Sequence, residues 1–227
     1  MEAFGCLKGI TYVSRKLILR MTMHNVPFTS DEELLRLLAV GDESAFTALY
    51  RQHQPPIYRF ALLMSGSAMV AEDVTQEVFL ALMRDAHRYD ASRGTLGAYL
   101  YGIARKQVLR SQSRNHSHVS LSASAADENE EVPTLIAADD PLHDCARREV
   151  ILRVRQAVLA LPAKYREVVV LCDFQELSYA EAASALDCAV GTVCSRLHRG
   201  HALLLERLRT LSNADAPWRD VVVRCLT

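Results

Sequence analysis

Asp73 and Glu77 put two carboxylates four residues apart in "AMVAEDVTQEVFLALMRDAHRYD", with Gln76 beside them and Leu80 and Arg84 further along the same side. Residues four apart stack on one face of a helix, so the pair could share a proton or hold a divalent cation. Neither a nucleophile nor further ligand groups accompany it, and acids set around an apolar residue suit a protein-docking face better. A second constellation lies in "GTVCSRLHRGHALLLERL". With a period of 3.6, Val193, Leu197, Leu204 and Leu208 form one face, and Thr192, Ser195, Arg196 and Arg199 another. Free backbone N–H groups at the start of such a helix attract phosphate, and the arginine fork matches phosphates and guanine edges. A third joins Tyr89, Tyr99 and Tyr101 to Arg105, Lys106 and Arg110, the pairing by which rings stack unpaired bases while cations hold the backbone. Cys188, Cys194, His198 and His201 have spacings a metal could use, but they fall on the DNA side and edge of the second constellation, so neither a metal nor a cofactor is expected.

Each constellation needs a helix to hold it. The chain of 227 residues has 50% hydrophobic and 23% charged residues, with only nine glycines and seven prolines, a balance that favours soluble helical structure. Ser30-Asp31-Glu32-Glu33 reads as a capping box opening "DEELLRLLAVG", which stops at Gly41. In the next segment, Pro55-Pro56 predicts a break or sharp bend. Val70, Val74, Val78 and Leu82 form the core stripe behind the carboxylate pair. "TLGAYLYGIARKQVLRSQSR" buries Leu96, Tyr99 or Leu100, and Ile103, exposing its basic strip. Further on, "RREVILRVRQAVLALP" turns at Leu161-Pro162 into "AKYREVVVLCDFQE", where Cys172 is a small core residue. Ser178-Tyr179-Ala180-Glu181 is a second capping box, starting a short helix to Leu186. The turn from Asp187 to Val190 then leads into the arginine-bearing helix, the helix-turn-helix pattern over 178–200.

The formal charge of -1 hides a segregation. Arg105, Lys106, Arg110 and Arg114 stand without an acid between Tyr101 and His118, whereas Asp127 to Asp144 carries only acids and no Lys or Arg. "NHSHVSLSASAADENEEVPTLIAADDP" has no hydrophobic period and reads as a linker. The fold class is therefore all-α, with two helical domains joined by a flexible acidic linker: an N-terminal arm over 1–28, a first domain over 29–115, the linker over 116–142, a second domain over 143–211 and a tail over 212–227. Met21 and Met23 are candidate initiators. No apolar run reaches the roughly 20 residues of a membrane span, and the N-terminal segment has no uninterrupted apolar core of a signal peptide, so a cytoplasmic location without membrane insertion is expected. Six cysteines without a CxxC pair argue against a disulfide framework or zinc ribbon.

With these parts in order, the chain resembles the bacterial RNA polymerase sigma factors of the extracytoplasmic-function (ECF) type, which keep the second and fourth sigma domains. The matching strings are "AEDVTQEVFLALMRDAHRYD", "GAYLYGIARKQVLRSQSR", "LPAKYREVVVLCDFQELSYAEAASAL" and "AVGTVCSRLHRG". The resemblance implies a non-enzymatic initiation factor that binds core RNA polymerase, recognises a two-part promoter, and is controlled by an anti-sigma factor. It implies docking on polymerase through Asp73, Gln76, Glu77 and Leu80. It implicates Tyr89, the loop from Asp90 to Thr95 with Arg93, and Tyr99, Arg105, Lys106 and Arg110 in reading and melting the minus-ten element. Thr192, Ser195, Arg196 and Arg199 would read the minus-thirty-five element, and the acidic linker would thread the polymerase cleft. The family usually has tryptophan at Tyr99, asparagine at Lys106 and often lysine at Cys194, so the minus-ten preference and one phosphate contact should differ here. A helix-turn-helix regulator acting without polymerase would leave the Asp73 face and the aromatic-basic strip unused, and a metal enzyme would need Asp73, Glu77 and the histidines together.

Overall fold

Helix formation starts from side-chain caps. The computed structural model describes residues 30–119 and 141–211, all helices, turns and short connections. The N-terminal arm, most of the linker and the tail lie outside the described residues. Ser30 Oγ accepts the Glu33 N–H at 3.3 Å and opens α1, Asp31–Ala39; the acids of its first turn face the positive end of the helix dipole. Asp42 caps α2, Glu43–Ser65, by accepting from Ser44 and Ala45. Gly66, left-handed at φ 78°, ends α2, and Ser67 caps α3, Ala68–Asp85. Two short 3-10 turns, Ala86–Arg88 and Ala91–Arg93, lead into α4, Leu96–Val119.

The first bundle packs α2, α3 and α4 around Leu49, Ile57, Phe60, Met64, Val78 and Leu82, with Leu96, Leu100, Ala104 and Val108 completing it from α4. Full burial of each large apolar side chain stabilises by about 1.5–3 kcal/mol, which explains why α2 runs unbroken through Pro55-Pro56. Against the expected break, His53, Ile57 and Phe60 are buried on both sides of the prolines while Arg51, Gln52 and Pro55 face solvent. The missing ladder bonds thus fall on the wet side, and core packing holds the axis. Asp31 ties α1 to α2 through His53 at 3.2 Å.

The second bundle comprises α5, Pro141–Leu159; α6, Ala163–Val169, continued by a π-helical turn Val170–Phe174; α7, Tyr179–Leu186; and α8, Val190–Leu211. Helix is continuous to Val119 and resumes at Pro141, so it reaches a few residues into both ends of the segment read as linker. Val158, Leu161, Val168, Leu171, Leu186 and Val193 lie in the core. Ser178 and Glu181 form the expected reciprocal capping box, and Asp187, left-handed at φ 53°, turns α7 into α8.

The two bundles touch. Arg166 on α6 donates to the Met64 carbonyl of α2 at 2.7 Å, to Leu161 at 2.9 Å, and to Leu159. It brings a cation to the C-terminal end of α2, whose own last turn has none, and satisfies carbonyls that helix ends leave unpaired. Gln112 donates to the same Met64 carbonyl at 3.0 Å.

Candidate functional site

Asp73, Gln76, Glu77 and Leu80 are all exposed on α3, opposite buried Val74, Val78 and Leu82. Beside them lies a groove of about 560 Å³ between α2 and α3, lined by Phe46, Tyr50, Tyr58, Phe79, Leu80 and Met83. Leu80 and Met83 are 48% and 54% exposed, and the Phe79 ring lies tilted at 4.7 Å from Tyr50 and edge-on at 6.3 Å from Phe46. The sequence pattern did not mark Phe46, Tyr50 and Met83 as site residues. The Phe46/Tyr50 pair at i, i+4 was the available signal, obscured by the expected break at Pro55-Pro56.

The loop between α3 and α4 is built by its own side chains. Tyr89 donates from its hydroxyl to the Gly94 carbonyl at 3.0 Å, and its ring lies 5.7 Å from that of Tyr99. Asp90 accepts from the Ser92 N–H at 2.9 Å and the Ser92 hydroxyl at 2.7 Å. These bonds hold its carboxyl below the usual carboxylate range. Arg93, Lys106 and Arg110 are exposed.

Two members of the aromatic-basic strip differ from the reading that the strip is exposed. Tyr101 is buried against Phe60 at 5.3 Å and donates to Gln175 Oε1 of the second bundle at 3.0 Å. Arg105 Nε lies 2.9 Å from Glu167 Oε1, with the side chains 25% and 3% exposed. Its N–H is not aligned for a straight hydrogen bond, so the contact is an ion pair. Tyr99 is half-buried and Leu100 fully buried, which settles the choice between them for the core position, and Ile103 is only half-buried. The reason is one-sided periodicity: a basic residue on the outer face of one bundle becomes an inner residue when a second bundle packs there.

On α8, Val193, Leu197, Leu204 and Leu208 are buried as expected. Ser195 and Arg199 are exposed, and Thr192 and Arg196 half-exposed. The Arg199 guanidinium lies near the Tyr165 hydroxyl and is the main cause of a lowered Tyr165 pKa. Gly200 makes this approach possible, since a Cβ there would lie 2.8 Å from Val169 Cγ2. Cys194 and His198 are exposed, while His201 is bound to Asp173 at 2.7 Å. Among the described residues no three His, Cys, Asp or Glu come together as a metal would require, and no helix is long and apolar enough to cross a membrane.

Residues 49–117 match the Sigma-70 region 2 family and residues 151–204 match Sigma-70, region 4. The ECF RNA polymerase sigma factor SigE of Mycolicibacterium smegmatis is 33% identical over 183 residues, 78% of this chain and 68% of the relative. SigW of Bacillus subtilis is 33% identical over 174 residues, 75% of this chain and 92% of the relative. The chain belongs to the ECF sigma factors. A sigma factor binds core RNA polymerase and directs it to promoters, and this family is regulatory rather than catalytic. Two solved structures share the fold: CnrH in complex with the cytosolic domain of CnrY, with TM-score 0.59, 23% identity and coverage of 80% of this chain and 99% of that one; and RpoE with the anti-sigma factor NepR from Bartonella quintana, with TM-score 0.59, 23% identity and coverage of 72% and 96%.

Proposed function

We propose that this sigma factor divides its work among three surfaces. Asp73, Gln76, Glu77 and Leu80, with the adjoining aromatic groove, dock on core polymerase. The Asp90–Thr95 loop, with Tyr89, Arg93, Tyr99, Arg105, Lys106 and Arg110, engages the minus-ten element, stacking bases on tyrosine rings and holding phosphates with cations. Thr192, Ser195, Arg196 and Arg199 read the minus-thirty-five element in the major groove. The acidic segment between the domains, read over 116–142, follows the polymerase cleft, and the protein acts in the cytoplasm, where the polymerase and DNA are. The observation carrying this reading is that the exposed acidic α3 face and the helix-turn-helix stand on different bundles of one chain. An anti-sigma partner is proposed because both structures of shared fold were solved with a bound partner, NepR being an anti-sigma factor. Run-off transcription with purified core polymerase, followed by sequencing of transcript 5′ ends, tests the division. Arg196→Ala should lose promoter selection while keeping core binding, and equal loss of both would refute the assignment.

A further inference from the structure

We propose that in the free chain the aromatic groove between α2 and α3 is filled by the N-terminal arm, residues 1–28, and that polymerase must displace the arm to dock; the competition rests on assigning Asp73, Gln76, Glu77 and Leu80 to polymerase. The groove is apolar and open. Tyr50, Leu80 and Met83 are exposed, and Phe46, Tyr58 and Phe79 complete its wall. Joined apolar exposure of this kind marks a surface made to be covered by another polypeptide segment.

Charge selects the occupant. Glu72 lines the groove, no lysine or arginine does, and Asp73 and Glu77 are exposed on the same helix. Arg84, a turn beyond Leu80, is already engaged by Asp85 at 3.2 Å. A segment that fits here carries apolar side chains between cations, because opposite potentials orient docking. The arm has that composition: Lys8, Arg15, Lys16 and Arg20 stand against Glu2 alone, with Ile10, Val13, Leu17 and Leu19 among them. The tail over 212–227 lacks it, since Arg219 and Arg224 are balanced by Asp215 and Asp220.

The fold also delivers the arm to this place. Asp31, the first residue of α1, is held on α2 by Gln52 at 3.0 Å and His53 at 3.2 Å, and these two stand between Tyr50 and Gln54 of the groove lining. The arm therefore joins the bundle at the level of the groove. From Phe46 to Tyr58 the groove follows α2 for about 18 Å, and residues 21–29 reach about 30 Å when extended. Ile10 to Arg20 can thus lie along its whole length.

The test uses the full chain, a variant Arg15→Glu/Lys16→Glu/Arg20→Glu that reverses the arm's charge, and a chain started at Met21; the arm changes alter no residue of either bundle. With a photo-crosslinking side chain at Met83, mass spectrometry of the irradiated monomer should find Met83 joined to residues 8–20, and the triple variant should lose that link. Without the crosslinker, core polymerase should bind both arm variants about fivefold tighter than the full chain, the gain expected where the groove is free about one-fifth of the time. Links to residues 212–227, links between two copies, or no link overturn the arm as occupant, and so does core affinity unchanged in both variants. Weaker promoter-duplex binding by the triple variant, with no Met83 link in the full chain, assigns the arm to DNA and overturns it too. If no version binds core, the docking assignment itself fails, and the Met83 link alone decides for or against the arm.

Discussion

Arg105 and Arg199 carry the same charge, each on a long helix, yet one is paired across the contact between the bundles and the other stands in solvent beside Tyr165. The basic strip of α4 and the reading face of α8 therefore differ in what they must give up to bind DNA. Release of Arg105 breaks an ion pair with a buried carboxylate, whereas Arg199 is already exposed and gives up no such pair. Local charge shows what a helix can bind; packing determines whether it is free to do so.

The largest effect is expected at the third surface, which belongs to neither arginine and so shows whether polymerase docking is separate from both. Asp73→Lys with Glu77→Lys should weaken core polymerase binding by several kcal/mol, since like-charge juxtaposition across an interface costs that much. Minus-thirty-five duplex binding should not change. Binding of the variant to core as tightly as wild type would remove α3 from the docking surface. Arg105→Ala comes next. It strands Glu167, and because Arg105 is 25% exposed the destabilisation should be about 2 kcal/mol, below the roughly 3–5 of fully buried pairs. Thermal unfolding should register it as a clear fall in Tm. Arg199→Ala is the matched control and should change stability by less than about 0.5 kcal/mol. It should also shallow the salt dependence of duplex binding by about 0.9 for each phosphate that Arg199 neutralises. Equal Tm values for the two variants would erase the distinction.

The smallest effect concerns pH. Bonds from Ser178, with a lesser one from Thr95, hold the Glu181 carboxyl below the usual range. A lowered folded pKa means the stabilisation is complete above the ordinary glutamate value near about 4.3 and is lost as pH falls through the lower folded one. Circular dichroism should therefore show the end of α7 weakening only below about pH 4. Glu181→Gln should flatten that dependence, because glutamine keeps the capping geometry without titrating. A profile identical to wild type would detach the effect from this residue.

Much of this was legible because it is local. The caps at Ser30 and Ser178, the Val74/Val78/Leu82 stripe, and the division of α8 into an apolar and an arginine face all follow from spacings within one or two turns. Charge and hydroxyl patterns likewise marked the α3 and α8 faces. What escaped depends on partners distant in sequence. Tyr101 meets Gln175 across 74 positions, and Thr95 meets Glu181 across 86, so no periodicity within α4 could signal that its outer face is covered. Pro55-Pro56 misled for the same reason, since the burial of Ile57 and Phe60 against other helices overrides a local preference. The groove needed Phe46 and Tyr50 from α2 beside Phe79 from α3, which appears only once the helices are packed.

Division of labour among the three surfaces is tested most directly by run-off transcription with purified core RNA polymerase, with and without this chain, on templates carrying candidate promoters, alongside co-migration of chain and core. A stable complex is expected, with a discrete promoter-dependent transcript that appears only with both components and disappears in the Asp73→Lys/Glu77→Lys variant. Duplex binding by the free chain, with no core association and no transcript, would contradict it and leave a helix-turn-helix regulator in its place.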